Sequence, residues 1–144
     1  MEIRRFNQER SSIQEWLAMI KNTVMGLLGS YKAYQKFFTQ FCINCNKGYD
    51  VNNLVPLMVD HVNARPVNRT NLSLLLYYGL RKLINPGFKI TVTYGDNDIY
   101  GNSPKYIRKR YPTSAFVTIT QSSHFAWIQN KKEFLNVLAE HYKM

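Results

Sequence analysis

Phe88-Lys89-Ile90-Thr91-Val92-Thr93-Tyr94, followed at once by Gly95-Asp96-Asn97-Asp98, decides how the second half of this chain is read. Its first part alternates strictly between apolar and polar residues, the period of a half-buried strand. The glycine and the aspartates then break that period. Downstream, Ser103 and Pro104 suit the N-cap and first turn of a short helix that stops before Pro112. Ala115 to Thr120 alternates again, as a second strand. Asn130 and Glu133 have capping-box spacing at the head of a last helix, with Phe134, Leu135, Leu138 and Tyr142 as its apolar stripe. Strand, helix, strand, helix predicts an α/β fold whose strands run parallel and are joined by a crossover helix.

Before Pro86 the pattern is helical. Ser12 and Glu15 form a capping-box pair, and Ile13, Trp16, Leu17, Ile20, Val24 and Leu27 follow at the helical period. Gly29 suits a left-handed helix end. Ser30 caps a second helix with Tyr34, Phe37, Phe38 and Phe41 on one face. A third places Leu54, Leu57, Met58, His61 and Val62 on one stripe and stops at Pro66. A fourth runs over 71–84, with Leu72, Leu75, Leu76, Leu80 and Leu83 inward, and closes on Asn85-Pro86-Gly87. The chain therefore divides into a helical region, 1–85, and a strand-helix region, 86–144.

With 45% apolar and 19% charged residues, the 144-residue chain has a globular composition, and no run is long enough to span a bilayer. The opening Met1-Glu2-Ile3-Arg4-Arg5 leads into no apolar signal core, which predicts a cytoplasmic protein. The net charge of +10 is scattered apart from Lys105 to Arg110. At helical spacing Tyr106 and Ile107 face inward there, and Lys105, Arg108 and Lys109 face water, a solvated helix face and no nucleic-acid site. Cys42 and Cys45 lack the second ligand pair of a zinc site and read as buried thiols. The sequons at Asn68 and Asn71 carry little weight without a secretion signal. No cofactor or metal is expected.

Open α/β sheets place their chemistry on loops beyond the carboxyl ends of the strands. One loop here carries Asp96 and Asp98, and the other carries Gln121-Ser122-Ser123-His124. Taken singly, Asp98 reads as a turn aspartate and His124 as a satisfied loop histidine. At equivalent ends of successive strands they form an acid and a base able to meet.

Ile90 to Asp98 resembles the α/β-hydrolase segment in which a strand ends in Gly-x-x-Asp. Ser123-His124-Phe125-Ala126-Trp127 is similar to that family's histidine loop, and the resemblance extends over Phe88 to Tyr142. It implies a partial α/β-hydrolase fold: a helical lid, 1–85, followed by the C-terminal part of the catalytic domain, 86–144. By the same resemblance Asp98 matches the triad acid and His124 its base. Asp96 stands at the wrong distance from Gly95 for the acid. The implied reaction is hydrolysis of an ester, amide or peptide bond without a cofactor. Trp16, Tyr34, Phe37, Phe38 and Phe41 in the lid suit an apolar substrate, or equally the packing between lid helices.

The family's nucleophile sits in G-x-S-x-G, and that motif is absent. Ser30 and Ser103 have the wrong neighbours and read as helix caps. The nucleophile and oxyanion donors would belong to a missing N-terminal half, so this chain alone is expected to be inactive. The unpaired edge of the first strand would meet that half or another copy of the chain. A rival reading, motivated by Lys105 to Arg110, is a non-catalytic basic binding module that keeps part of a hydrolase fold.

Overall fold

The computed structural model describes residues 2–51, 54–76, 86–99 and 103–143, with side chains from residue 6 onward. The chain separates into two compact units, one up to residue 80 and one from residue 81. Among the described residues no helix is long and apolar enough to cross a membrane.

The first unit is helical: α1 (Glu2–Arg10), α2 (Ile13–Leu27), α3 (Tyr31–Cys45), α4 (Val55–Val59) and α5 (Ala64–Leu76). The capping box forms as the sequence predicts. Ser12 Oγ accepts the Glu15 N–H at 3.2 Å, and Glu15 Oε2 accepts the Ser12 N–H at 2.7 Å. The Ser12 backbone N–H first, and then its hydroxyl, hold the Glu15 carboxyl below the ordinary carboxylate value. At the other end Gly29 has φ +100°, Ser30 N–H donates to Met25 O and Gly29 N–H donates to Gly26 O. This is the paired hydrogen-bond closure that a left-handed residue permits. Ser30 caps α3 through the Ala33 N–H, and Asn46 closes it by donating to Cys42 O at 2.8 Å.

The packing of α2 departs from its periodicity. Met19 and Gly26 are its buried residues, whereas Ile13, Leu17, Ile20, Val24 and Leu27 form an exposed row. Close approach of α3 decides this, because the Tyr34 ring lies where a side chain on Gly26 would stand: a Cβ there would sit 2.4 Å from Tyr34 Cδ1. Periodicity shows that a helix has an apolar face, but not which face finds a partner. The Tyr34 hydroxyl donates to Asn68 Oδ1 at 2.5 Å, and Asn68 Nδ2 donates to Gly26 O and Leu27 O. One amide on α5 thus bonds two carbonyls of the last turn of α2, and the Asn68 side chain is committed to packing.

Gly26→Ala is accordingly expected to destabilise this unit. A helical alanine gains about 1 kcal/mol over glycine. Overpacking against Tyr34 costs about 1–3 kcal/mol, and losing the Tyr34–Asn68 bond costs roughly 1 kcal/mol more. The net loss, about 1–3 kcal/mol, is measurable by urea unfolding followed through Trp16. An unchanged or raised midpoint would show that the ring has room to move.

A buried polar cluster joins α1 to α3. Asn44 Nδ2 donates to Asn7 Oδ1 at 3.0 Å and to Ser11 Oγ at 2.8 Å, and Gln40 Nε2 donates to Asn44 Oδ1. Cys42 and Cys45 are buried and form no disulfide; burial pushes the Cys42 thiol up.

Two helix expectations in this unit are corrected. The stripe from Leu54 to Val62 shrinks to α4, whose buried residues are Val55 and Val59, while Leu57 and Met58 are exposed. Pro66 does not stop a helix. It sits in the first turn of α5, where its missing N–H costs nothing. Leu72, Leu75 and Leu76 are exposed on α5, and Leu80 and Leu83 lie outside the described residues.

The second unit is α/β, with β1 (Thr91–Gly95), α6 (Ser103–Arg110), β2 (Ala115–Ile119), α7 (Ala126–Gln129) and α8 (Lys131–Tyr142). The strands are parallel, with Thr91 opposite Ala115 and Gly95 opposite Ile119. β1 begins later than the alternation from Phe88 suggests, and Phe88 is exposed. A strand extends only as far as its neighbour, and here the chain bends through Pro112 and Thr113 before Ala115 N–H meets Ile90 O.

Helices flank the pair on opposite faces. The Arg108 guanidinium of α6 lies 4.0 Å over the Phe116 ring. On the face that alternates with it, Thr91 Oγ1 is 2.8 Å from His141 Nδ1 of α8. Asn130 caps α8. Glu133 Oε2 accepts from Thr120 N–H, Thr120 Oγ1 and Asn130 Nδ2, each at 2.8 Å, and so ties the helix to the end of β2. That tie sets the phase of α8. Val137 and His141 line its sheet side; of the expected stripe, Phe134 is half-buried and lies with Leu138 and Tyr142 toward Thr91 and Thr93, although Leu138 and Tyr142 keep exposed surface, and Leu135 is exposed.

Candidate active site

β1 and β2 run parallel and end level, so the loops that leave Gly95 and Ile119 emerge side by side. Gly95 makes their closeness possible. A Cβ there would stand 2.4 Å from Ser123 O and 2.6 Å from Ser122 O, both backbone atoms. Across this contact Asp96 N–H donates to Ile119 O and Asn97 N–H donates to Ser122 O at 3.0 Å.

The histidine loop is held from several directions. Gln121 takes φ +49°, in the left-handed region. Asp96 accepts Gln121 N–H on Oδ2 at 2.9 Å and Ser122 N–H on Oδ1 at 3.1 Å. Ser123 N–H donates to Gln129 Oε1 at 2.6 Å, and Ser123 Oγ donates to Asn97 O at 2.9 Å. Phe125, buried, follows the histidine and opens α7.

On this base Asp98 and His124 come together. His124 Nδ1 lies 3.0 Å from Asp98 Oδ1, and the same oxygen accepts the Ile99 N–H at 2.6 Å. The Asp98 side chain is 9% exposed and the His124 side chain 27%. Asp98 therefore keeps the backbone bond of a turn aspartate and also takes the histidine. A carboxylate oxygen can only accept, so the shared proton belongs on Nδ1 and the ring's lone pair on Nε2. That is the tautomer a general base needs if it is to act through Nε2. Burial of the acid shields the bond from water, and a hydrogen bond to a charged group contributes roughly 1.5–3 kcal/mol.

The serines beside the histidine are occupied otherwise. Ser122 and Ser123 are fully buried, and their hydroxyls donate to Ile119 O and Asn97 O. Ser30 caps α3, and Ser103 opens α6. On α6 the basic run is partly spent within the fold, Arg108 on Phe116 and Arg110 on the Tyr111 hydroxyl. Tyr106, expected inward, is exposed, while Ile107 is half-buried. A helix with only eight residues has little inward face, and Ile107 takes it.

Gln129, Asn97 and Ser123 carry no mark of a site residue in the sequence, and Asp96 stands there only as a second acid beside Asp98. For Gln129 no sequence signal exists, since its role depends on the short turn of α7 folding its amide back over Ser123. For Asp96 the signal was a second aspartate beside a glycine, which the structure turns into a tie between loops.

No known protein family, no curated protein and no solved structure matches this chain.

Proposed function

We propose that this chain carries the acid–base half of a serine hydrolase of the α/β-hydrolase fold. His124 is the base, Asp98 is the residue that orients it, and the nucleophile lies on a segment outside these residues. The observation that carries the reading is the 3.0 Å contact between His124 Nδ1 and a largely buried Asp98, at level ends of two parallel strands. In the reaction His124 Nε2 takes the proton of an incoming serine hydroxyl, and Asp98 stabilises the imidazolium that results. The substrate is an ester, amide or peptide.

Further features support the reading. Among the described residues β1 and β2 form a two-stranded sheet, which leaves one edge of each strand unpaired. A parallel sheet this small is an incomplete layer. In the helical unit the exposed row from Ile13 to Leu27 is the kind of apolar surface that a lid turns toward the body it covers.

The chain by itself should hydrolyse p-nitrophenyl esters no faster than its His124→Ala variant, and a fluorophosphonate probe should label no serine. Imidazole without a nucleophile and oxyanion donors is a weak catalyst. Co-expression with the polypeptide encoded directly upstream should bring in a G-x-S-x-G serine, probe labelling and hydrolysis. Labelling of the chain alone would place the nucleophile within it. An upstream segment without the motif, together with no gain in hydrolysis, would remove the reading.

A further inference from the structure

Two carboxylates stand two positions apart on one loop, and they do different work. Asp98 meets the imidazole of His124. Asp96 meets the backbone of the histidine loop, with Oδ2 on Gln121 N–H and Oδ1 on Ser122 N–H. We infer that Asp96 is a positioning residue for His124: an anionic clasp that keeps the loop in the one conformation from which the imidazole reaches Asp98. The inference rests on the reading of Asp98 and His124 as an acid–base pair.

The geometry carries it in three steps. First, Gln121 is the only non-glycine residue with positive φ among those described. A left-handed residue next to a right-handed or extended one turns consecutive N–H groups toward a single point, which makes a small anion-binding concavity. Asp96 fills that concavity with both oxygens. A strained glutamine persists only where its surroundings hold it, and the clasp is what holds it here.

Second, the clasp lies one residue from the pinned Ser123 and two from His124. Ser123 Oγ on Asn97 O and Asn97 N–H on Ser122 O complete a ring of bonds that runs from β1's loop to β2's loop and back. Each of these bonds needs the loops at their present separation. At 3.0 Å the His124–Asp98 bond has little slack. A loop displacement near 1 Å takes it beyond hydrogen-bonding distance.

Third, Asp96 is exposed, in contrast to Asp98. It fills no core space, so its removal leaves no cavity. Its effect should therefore appear at the loop and the histidine, and not in the strand pair.

The experiment is nitrogen-15 NMR of the full chain. It follows the His124 ring tautomer and the exchange of its Nδ1 proton, with the amides of Tyr94 and Val117 reporting the strand pair. In Asp96→Ala the Gln121 and Ser122 amides and the His124 Nδ1 proton should exchange roughly tenfold faster or more. The Tyr94 and Val117 amides should stay protected. Asp96→Asn keeps one acceptor oxygen and should fall between. Asp98→Asn should abolish the Nδ1-protonated signature while leaving the Gln121 and Ser122 amides held.

A wild-type His124 ring in Asp96→Ala would overturn the clasp. Loss of strand protection in both Asp96 variants would overturn it too, because Asp96 would then hold the fold and not the histidine. A wild-type ring in Asp98→Asn is a different failure, that of the acid–base pair itself.

Discussion

Gly95→Ala should cost the second unit about 3 kcal/mol or more and drive the two loops of the site apart. The added methyl would meet Ser123 O and Ser122 O, at 2.4 and 2.6 Å. Neither atom belongs to a side chain that can swing away. Overpacking of a well-packed site costs about 1–3 kcal/mol. Here relief requires the backbone to move, which also breaks the bonds from Asp96 N–H to Ile119 O and from Asn97 N–H to Ser122 O. Each adds roughly 1 kcal/mol, against a total stability of order 5–15 kcal/mol for a small domain. Urea unfolding followed by Trp127 fluorescence, in a Trp16→Phe background, would measure it. A loss below about 1 kcal/mol, the typical effect of an ordinary substitution, would show that the close approach is absent in solution.

The effect also bears on the site. Glycine at this position serves no positive φ, since only Gly29 and Gly48 among the described glycines have one. Its role is proximity alone. The loops could not bring Asp98 to His124 if the strand ended in a residue with a side chain. In sequence Gly95 reads as a breaker of the alternation, which is correct but incomplete. The reason a glycine stands there lies across the sheet, on a segment more than twenty residues away.

The same division between local and distant causes explains what could be read in advance. Strand alternation and turn chemistry depend on neighbours in sequence, so β1, β2 and the loops that hold Asp98 and His124 were legible. So were the Ser12–Glu15 box and the left-handed Gly29. Helix phase was less so. On α2 the apolar row from Ile13 to Leu27 is real, yet the face that packs is the one with Gly26, because Tyr34 can approach closely only there. On α8 Phe134, Leu138 and Tyr142 do lie toward β1, yet Val137 and His141, which the apolar stripe does not mark, share that side, and Leu135 faces out. Pro66 marks a helix boundary in either reading, but which side of it is helical depends on contacts that a proline does not encode. Asp96 and Gln129 hold the histidine loop through its backbone, and backbone bonds leave no pattern of residue types to find.

If the chain serves as the proposed acid–base half, His124→Ala and Asp98→Asn in the completed enzyme should each lower kcat by orders of magnitude, and for different reasons. His124→Ala would remove the proposed base, and what remained would be catalysis from the oxyanion donors and binding alone. Asp98→Asn leaves the ring in place with its partner altered. The amide can offer its N–H to Nδ1, which then becomes the acceptor, and the ring's proton moves to Nε2. A ring protonated there cannot accept from serine, so geometry survives while chemistry is lost; in the chymotrypsin-like case the corresponding loss is about 10⁴-fold. Asp98→Ala provides the contrast, since it frees the ring and lets either tautomer form. It should therefore retain no less activity than Asp98→Asn, with a clear loss from wild type. Rates of p-nitrophenyl ester hydrolysis for the three variants, at equal expression and with unchanged strand amides, test the order. Activity of Asp98→Asn within about tenfold of wild type would mean that the acid does not set the tautomer. Activity of His124→Ala at the wild-type level would mean that the base lies elsewhere.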